Sequence, residues 1–503
     1  MARYKYTDAS FGQGQFLTVN LEEQLLPGTF AYMLNDILGK EIDISTFDSN
    51  YKNDKTGATA IPPLVLIKLI MYGYRKGIIS SRRLGELAEN NIIAKSLTDN
   101  MEPHWTTIAA FVSSHREKLQ EIFAQVLMYC NELQLIGGED YAVDGLRLPS
   151  NASMDMSGTE EELKKRLELY DRMAEKHLAK HLRADDQVEM DEETKRRYEE
   201  RQKDLNNKRG KIRAFLSTMV KKEGKHVEEI KSNVTDNDSA MIYDSGEYKQ
   251  GYIGVAVVDA KNQIIVNAEA FGTANEGEHL PKLIDKTLEN LNKAGVQEPE
   301  GKKLTFMGDA NYFSEDNLKA CHERGVEAII PDGQEKRRVN SSGEKRFDKQ
   351  DFQYNEEENT YTCPEGKCLK HQRTTTQNGV EGEVYQASLT DCKKCPSFSK
   401  CSWSKKAQSE INKGKVIRIT EGNNAGSFSA KMREKLETQE YKDKYSGRLG
   451  IVEPVFGNIS YCKGMNRFTL RGNNKVNGQW LLYCMVHNLG KCLKGYNERR
   501  KVA

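Results

Sequence analysis

Between residues 61 and 135 the apolar positions recur at helical spacing. Pro62 and Pro63 open the run PPLVLIKLIMYGYRKG, whose apolar residues cover much of a helix surface. Ser80–Ser81 offers an N-cap for RRLGELAENN, and PHWTTIAAFVSSHREKLQEIFAQVLMYC adds a Thr cap and a long amphipathic stretch. Residues 1–60 read as an N-terminal segment, irregular apart from one short helix near Glu22–Leu38. Short helices with tight turns and exposed Arg or Lys suit a helix-turn-helix-like DNA-binding module over 61–135; a plain helical bundle fits the pattern equally well.

The period then changes. DYAVDGLRL, residues 140–148, reads as a strand ending in polar NAS. Residues 158–230 are highly charged, helical in period and free of Pro, and predict two or three long helices forming a projecting arm. GYIGVAVVDA and NQIIVNAEAF flank an Ala-Lys-Asn turn, which predicts a hairpin over 251–271. A helix follows over about 278–294; KLTFMGDA then forms a strand ending at Asp309, SEDNLKACHERG a Ser-capped helix, and VEAIIP another strand. Strand, hairpin, helix, strand, helix, strand is the order of an α/β layer with a mixed sheet. Residues 332–420 interrupt it with a polar, basic stretch, and helices return in YSGRLGIVEPVFGNIS and NGQWLLYCMVHNLGKCL.

Composition narrows the function classes. The 503 residues are 30% charged and 37% hydrophobic. There is no apolar run of about 18 residues and no apolar stretch behind the N-terminus, so the expectation is a cytoplasmic protein with no membrane partner. The net charge of +1 hides an uneven distribution: basic runs at Lys393–Lys394, Lys400–Lys405, Lys463–Lys475 and Lys491–Lys501, and acidic residues concentrated in 158–204. Each basic run is either nucleic-acid footing or ordinary solvated surface.

Two carboxylates stand out among 74 acidic residues. Asp144 follows YAV and Asp309 follows LTFMG, so each rides on a strand that can aim it at a fixed point. Two such strands side by side would offer hard oxygen ligands to Mg²⁺ or Mn²⁺. A pair of such ions about 3.5–4 Å apart suits phosphodiester chemistry. A strand-end Asp also serves as a plain loop or helix cap. Asp259 follows VAVV at a hairpin turn and reads as structural, while Asp236, Asp238 and Asp244 are rivals in a polar loop. Glu453 lies in YSGRLGIVEP; on a helix it can share a face with Tyr445 and Arg448, or simply be an N-terminal helix carboxylate beside Pro454. Arg448 suits bidentate phosphate binding, and Lys463 a neighbouring phosphate.

YAVDGLRLPSNAS, FMGDANYFSEDNL and GRLGIVEPVFGNIS together resemble the three active-site blocks of bacterial insertion-sequence DDE transposases. RFTLRGNNKVNGQWLLYCMVHNLGKCL resembles that family's end, and IPPLVLIKLIMYGYRKGIISSRRL with PHWTTIAAF its N-terminal helical domain. The likeness runs from about residue 60 to 495, the charged arm matching only in character.

The resemblance implies a ribonuclease H-like α/β core over 136–331 and 421–503, with 158–230 as a charged helical insertion. It also implies an N-terminal all-α DNA-binding domain over 61–135 and a small cysteine-rich insertion over 332–420. It implies Asp144, Asp309 and Glu453 as catalytic ligands of two Mg²⁺ or Mn²⁺ ions, and Tyr445, Arg448 and Lys463 as DNA- or phosphate-binding helpers. The implied activity is cleavage at terminal inverted repeats followed by strand transfer, on double-stranded DNA, by a homodimer or larger assembly associated with the bacterial nucleoid. The alternatives are a related nuclease without strand transfer and a non-catalytic DNA-binding derivative. The chain departs from the family at Asn311, where Gly is common, and at Ser460, where Lys is common; Lys463 is the stand-in.

Of ten cysteines, Cys130, Cys321, Cys462, Cys484 and Cys492 are scattered, most of them in apolar or helical surroundings, and read as buried free thiols. The other five cluster. The CxxC pair Cys392–Cys395, with Cys363 and Cys401, makes a four-thiol set for one structural Zn²⁺; Cys368 is the spare and His371 the weaker substitute. Five reduced thiols without metal is the alternative, leaving Trp403 and the surrounding lysines for DNA.

Overall fold

The structure, a computed structural model, describes residues 18–51, 59–185, 192–223, 229–297, 301–333, 346–377, 380–402, 411–420 and 426–502. Trp403 lies outside the described residues. The apolar run after Pro62 forms helix α2 (Pro63–Arg75), preceded by α1 (Phe30–Lys40) and followed by α3 (Ser81–Asn90), α4 (Ile92–Leu97), α5 (Trp105–Ser114) and α6 (Arg116–Glu132). Helix α1 starts at Phe30, where Thr29 accepts a bond from the Tyr32 amide, rather than near Glu22.

The chain then enters a mixed six-stranded sheet. Its strands are β1 (Asp140–Pro149), β2 (Ala240–Asp244), β3 (Glu247–Asp259), β4 (Ile265–Phe271), β5 (Thr305–Met307) and β6 (Glu327–Ile329). They lie in the order β6-β5-β1-β3-β2, with β4 also paired to β3. β6, β5 and β1 run parallel; β3 is antiparallel to β1, β2 and β4. Parallel neighbours need crossovers, which α9 (Leu280–Lys293) and α10 (Glu315–Glu323) supply. This is the expected mixed α/β layer, consistent with a ribonuclease H-like core. The expected helix from 278 begins at Leu280, after a 3₁₀ turn over Gly277–His279.

The charged stretch folds as two long helices, α7 (Glu160–Asp185) and α8 (Glu192–Thr218). They touch through a small apolar seam of Leu163, Leu167 and Ile212, and Arg209 and Arg213 both reach Asp171 (2.5 and 2.8 Å).

The last helix ties the molecule together. With α11 (Leu389–Lys393), α12 (Phe398–Cys401), α13 (Phe428–Glu437), α14 (Gln439–Ser446) and α15 (Arg448–Gly457) intervening, α16 (Asn473–Val502) packs on α6, α5 and α2 and on strand β4. One continuous core therefore includes Leu69, Ile122, Val257, Phe306 and Leu489, from N-terminal helices, sheet and α16 alike. Strand β4 pairs with β3 alone, leaving buried backbone groups on its other edge, and two asparagines of α16 satisfy them. Asn477 accepts from the Ala270 amide (2.8 Å) and donates to its carbonyl (2.9 Å); Asn488 does the same for Ile265 (2.9 and 2.8 Å). The geometry explains the spacing. Eleven helical residues span about 16.5 Å and return to nearly the same face, and five strand residues span about the same distance. Asn488→Leu should strand both Ile265 groups in the interior and lower unfolding stability by about 2–4 kcal/mol. Urea denaturation checks this, and a loss below about 0.5 kcal/mol would contradict it.

Candidate active site

Register brings the two aspartates together. β1 and β5 run parallel with Ala142 opposite Met307. Two residues further along each chain stand Asp144 and Asp309, on the same face because side chains alternate. β5 ends at Met307, so Asp309 is a cap rather than a strand residue; it accepts from the Asn311 amide (3.0 Å) and side chain (3.1 Å). Asn311, the departure from the family's Gly, thus supports Asp309 directly.

A third carboxylate joins them, and it is Glu276. After β4 the chain turns through residues 272–276, pressed so tightly on the Asp309 turn that a Cβ on Gly277 would lie 2.2 Å from the Asn311 carbonyl oxygen. Asn317 ties the two segments, donating to the carbonyls of Gly277 (2.8 Å) and Tyr312 (2.9 Å). Ligand atoms of Asp144, Glu276 and Asp309 all lie within 4.8 Å of one another.

The electrostatics are those of a site short of positive charge. Burial, and then Asp144, push the Asp309 carboxyl above its ordinary range. Burial does the same to Glu276, with Asp309 and Asp144 adding to it and Arg147, 3.7 Å away, opposing. Arg448 at the start of α15 is buried and reaches Asp144 (2.8 Å) and the Val143 carbonyl (3.2 Å). Around the trio, Glu276 Oε2, Tyr312 OH, Arg147 Nε and Arg448 Nε are buried without a hydrogen-bond partner among the described residues. Three hard carboxylates with unspent valences fit a divalent cation such as Mg²⁺ or Mn²⁺.

Two family models match the chain. Residues 362–493 match the Transposase DDE domain, and residues 19–114 match the Transposase domain (DUF772). Both matched segments are transposase domains, which makes the chain similar to the DDE transposases of insertion sequences. No curated protein matches it. The DDE match takes in Tyr445, Arg448, Glu453 and Lys463, whereas Asp144, Glu276 and Asp309 precede it.

The helpers divide. Tyr445, half-buried at the end of α14, faces Arg448, and burial raises its hydroxyl pKa. Glu453 is exposed on α15. Five residues turn a helix by about 140° beyond a full turn, so Glu453 leaves the buried face that carries Arg448. The shared face expected from the sequence is not formed, and the pocket's third carboxylate is Glu276. Lys463 is buried, 1% exposed, and its ammonium donates to the Asn458 side chain rather than standing free for phosphate. Among the rivals, Asp259 is structural, as expected: it accepts from the amides of Gly137 (2.9 Å), Gly138 (3.1 Å) and Lys261 (3.0 Å). Asp236 accepts from Tyr252 (2.7 Å) and the Gly472 amide (3.0 Å).

Burial, then Arg75, pull the Lys463 pKa down to about 8. For a base with a depressed folded pKa the neutral form is favoured in the fold. Its stabilising contribution is present above the unfolded value of 10.5 and lost as pH falls towards about 8. Denaturant unfolding of wild type and Lys463→Met should therefore diverge below pH 10.5, the variant gaining about 3 kcal/mol relative to wild type by pH 8. A pH-independent difference would contradict the buried placement.

Proposed function

We propose that this chain is a transposase that binds the terminal inverted repeats of its element, cuts the DNA there and joins the freed 3′ ends to a target, using the pocket of Asp144, Asp309 and Glu276. The carrying observation is the convergence of three carboxylates on one point beside a buried arginine. Bound Mg²⁺ or Mn²⁺ would supply Lewis-acid charge at the scissile phosphate and ease ionisation of the attacking hydroxyl.

The chain's own residues do the rest. Asp144, Asp309 and Glu276 would hold a divalent cation, and Asn311 holds Asp309. Arg448 fixes Asp144 from behind. Arg147, partly exposed beside Glu276, is placed to meet a DNA phosphate. In the first step water attacks phosphorus and the bond to the 3′ oxygen breaks, leaving a 3′-hydroxyl and a 5′-phosphate. In the second step that hydroxyl attacks a target phosphate and displaces the target's own 3′ oxygen. The N-terminal helices carry the repeat recognition: Arg82 of α3 lies over the Trp105 ring (4.9 Å) at the exposed start of α5. Joining two element ends calls for at least two copies of the chain in the DNA complex.

A second reading keeps Glu453 as the third ligand. The position of α15 inside the matched DDE segment favours it. Both readings share Asp144 and Asp309.

The test is a DNA fragment carrying the repeats that flank the gene, incubated with the full chain and Mg²⁺ or Mn²⁺. Strand transfer is followed separately with pre-cleaved ends. Cation-dependent cleavage with joining is expected. Cleavage without joining would reduce the protein to a nuclease, and repeat binding without either reaction would leave a DNA-binding protein.

A further inference from the structure

The stretch that interrupts the α/β core has a sheet of its own. Strands β7 (Gln353–Asn355), β8 (Thr360–Thr362), β9 (Cys368–Gln377), β10 (Val380–Ala387) and β11 (Val416–Ile419) pair antiparallel in chain order. Among the described residues its buried cluster is separate from the main core and comprises nine residues, Cys392 and Cys401 among them. A core this small seldom holds a fold without a disulfide or a metal.

We propose that Cys363, Cys392, Cys395 and Cys401 bind one structural zinc ion that closes the end of this sheet. All four line one cavity of about 20 Å³, with Phe347, Leu369 and Phe398 in its wall. That is room for roughly one water-sized occupant, in a wall of thiols and hydrocarbon that Glu365, Lys367, Asp391 and Lys415 also border. Cys401 lies within electrostatic reach of the other three. The fifth thiol separates itself: Cys368 is exposed on β9, opposite Thr362, and is absent from the cavity wall.

The backbone around these sulfurs is shaped for ligation. Residues Cys363-Pro-Glu-Gly-Lys make a tight turn: the Gly366 amide donates to the Cys363 carbonyl (2.8 Å), and the Cys363 amide to the Lys367 carbonyl (2.8 Å). Gly366 sits at φ +72°, which suits glycine. That turn aims the Lys367 amide at Cys363 Sγ (3.2 Å). At the second knuckle the Cys395 amide donates to the Cys392 carbonyl (3.2 Å), and the Lys415 amide points at Cys392 Sγ (3.3 Å). Amides aimed at sulfur are the kind of surrounding donor that orients a metal-bound ligand. Lys415, bonded to the Cys401 carbonyl, and Lys393 and Lys394 between Cys392 and Cys395 bring positive charge to the thiols, against Glu365 and Asp391 in the same wall. In this structure only the carboxylate trio has its ligand atoms within 4.8 Å among the described residues, so the sulfurs stand wider than in a closed site. Zinc would draw them to about 2.3 Å from its centre.

The experiment uses the full chain purified without chelator. Elemental analysis should find one zinc per chain. Replacement by Co²⁺ should give the visible bands of a tetrahedral site and thiolate-to-metal charge transfer. Cys368→Ser should keep the metal, and Cys395→Ser should lose it. If Cys395→Ser does not fold, the cobalt spectrum of the wild type and the Cys368→Ser control still decide. Wild-type protein that is folded and zinc-free, with these cysteines as free thiols or disulfides, would overturn the proposal. So would zinc retained equally in Cys368→Ser and Cys395→Ser, or a cobalt spectrum without thiolate charge transfer, which would place the metal on oxygen ligands.

Discussion

Replacing Asp309 by Asn should lower cation-dependent DNA cleavage by roughly a thousandfold or more, while folding and repeat binding persist. A carboxylate that shares a divalent cation with Asp144 contributes to every charge the transition state develops. Losing about 4 kcal/mol of that stabilisation corresponds to three powers of ten. The fold should tolerate the change, because Asn can still accept from the Asn311 amide at the cap. It should even gain from it. The Asp309 carboxyl is held above its ordinary range by burial and by Asp144. The wild-type chain without metal therefore carries a penalty that is absent at acid pH and sets in as pH rises through the raised value. At neutral pH without metal, Asp309→Asn should melt no lower than wild type. With Mn²⁺ the order should reverse, since only the wild type gains from the ion. Calorimetric melting with and without Mn²⁺ checks this. A variant that melts lower in both conditions would make Asp309 structural.

The second large effect separates Glu276 from Glu453. Glu276→Gln should cost cleavage about a hundredfold or more, and Glu453→Gln less than about tenfold. Glu276 is 2% exposed, lies beside two more carboxylates and has one oxygen without a partner. Such an arrangement is costly in a bare protein and makes sense where a cation is bound. Glu453, on the exposed face of α15, carries no such cost. Cleavage assays on both variants, with circular dichroism to confirm folding, decide the matter. Severe loss in Glu453→Gln with near-normal Glu276→Gln would transfer the third ligand to Glu453.

These residues also mark where sequence reading succeeds and where it stops. Asp144 and Asp309 stood out because each follows a short apolar run that reads as a strand, although Asp259 does too, and parallel register brings the two together. The charged arm was legible because a long Pro-free stretch with helical period has few other solutions. Glu276 sits in TANEGEHLP, in a polar turn five residues past the end of β4, with nothing to raise it above the other acidic residues. Only the close approach of Gly277 to the Asn311 turn brings it in. Lys463 looked like a surface cation in a basic run, and its burial against Asn458 depends on tertiary packing. The Asn477–Asn488 clamp is likewise invisible until β4 is known to be an edge strand. In the cysteine-rich stretch the CxxC spacing pointed to four thiols, and the exposure of Cys368 agrees with that choice.

The central claim is that Asp144, Glu276 and Asp309 form one divalent-cation site. It is tested most directly by titrating Mn²⁺ into the full chain without DNA and following the free ion by electron paramagnetic resonance. The account predicts saturable binding in the wild type that is lost in both Asp144→Asn and Asp309→Asn. Mn²⁺ binding that is undiminished in both variants would contradict it.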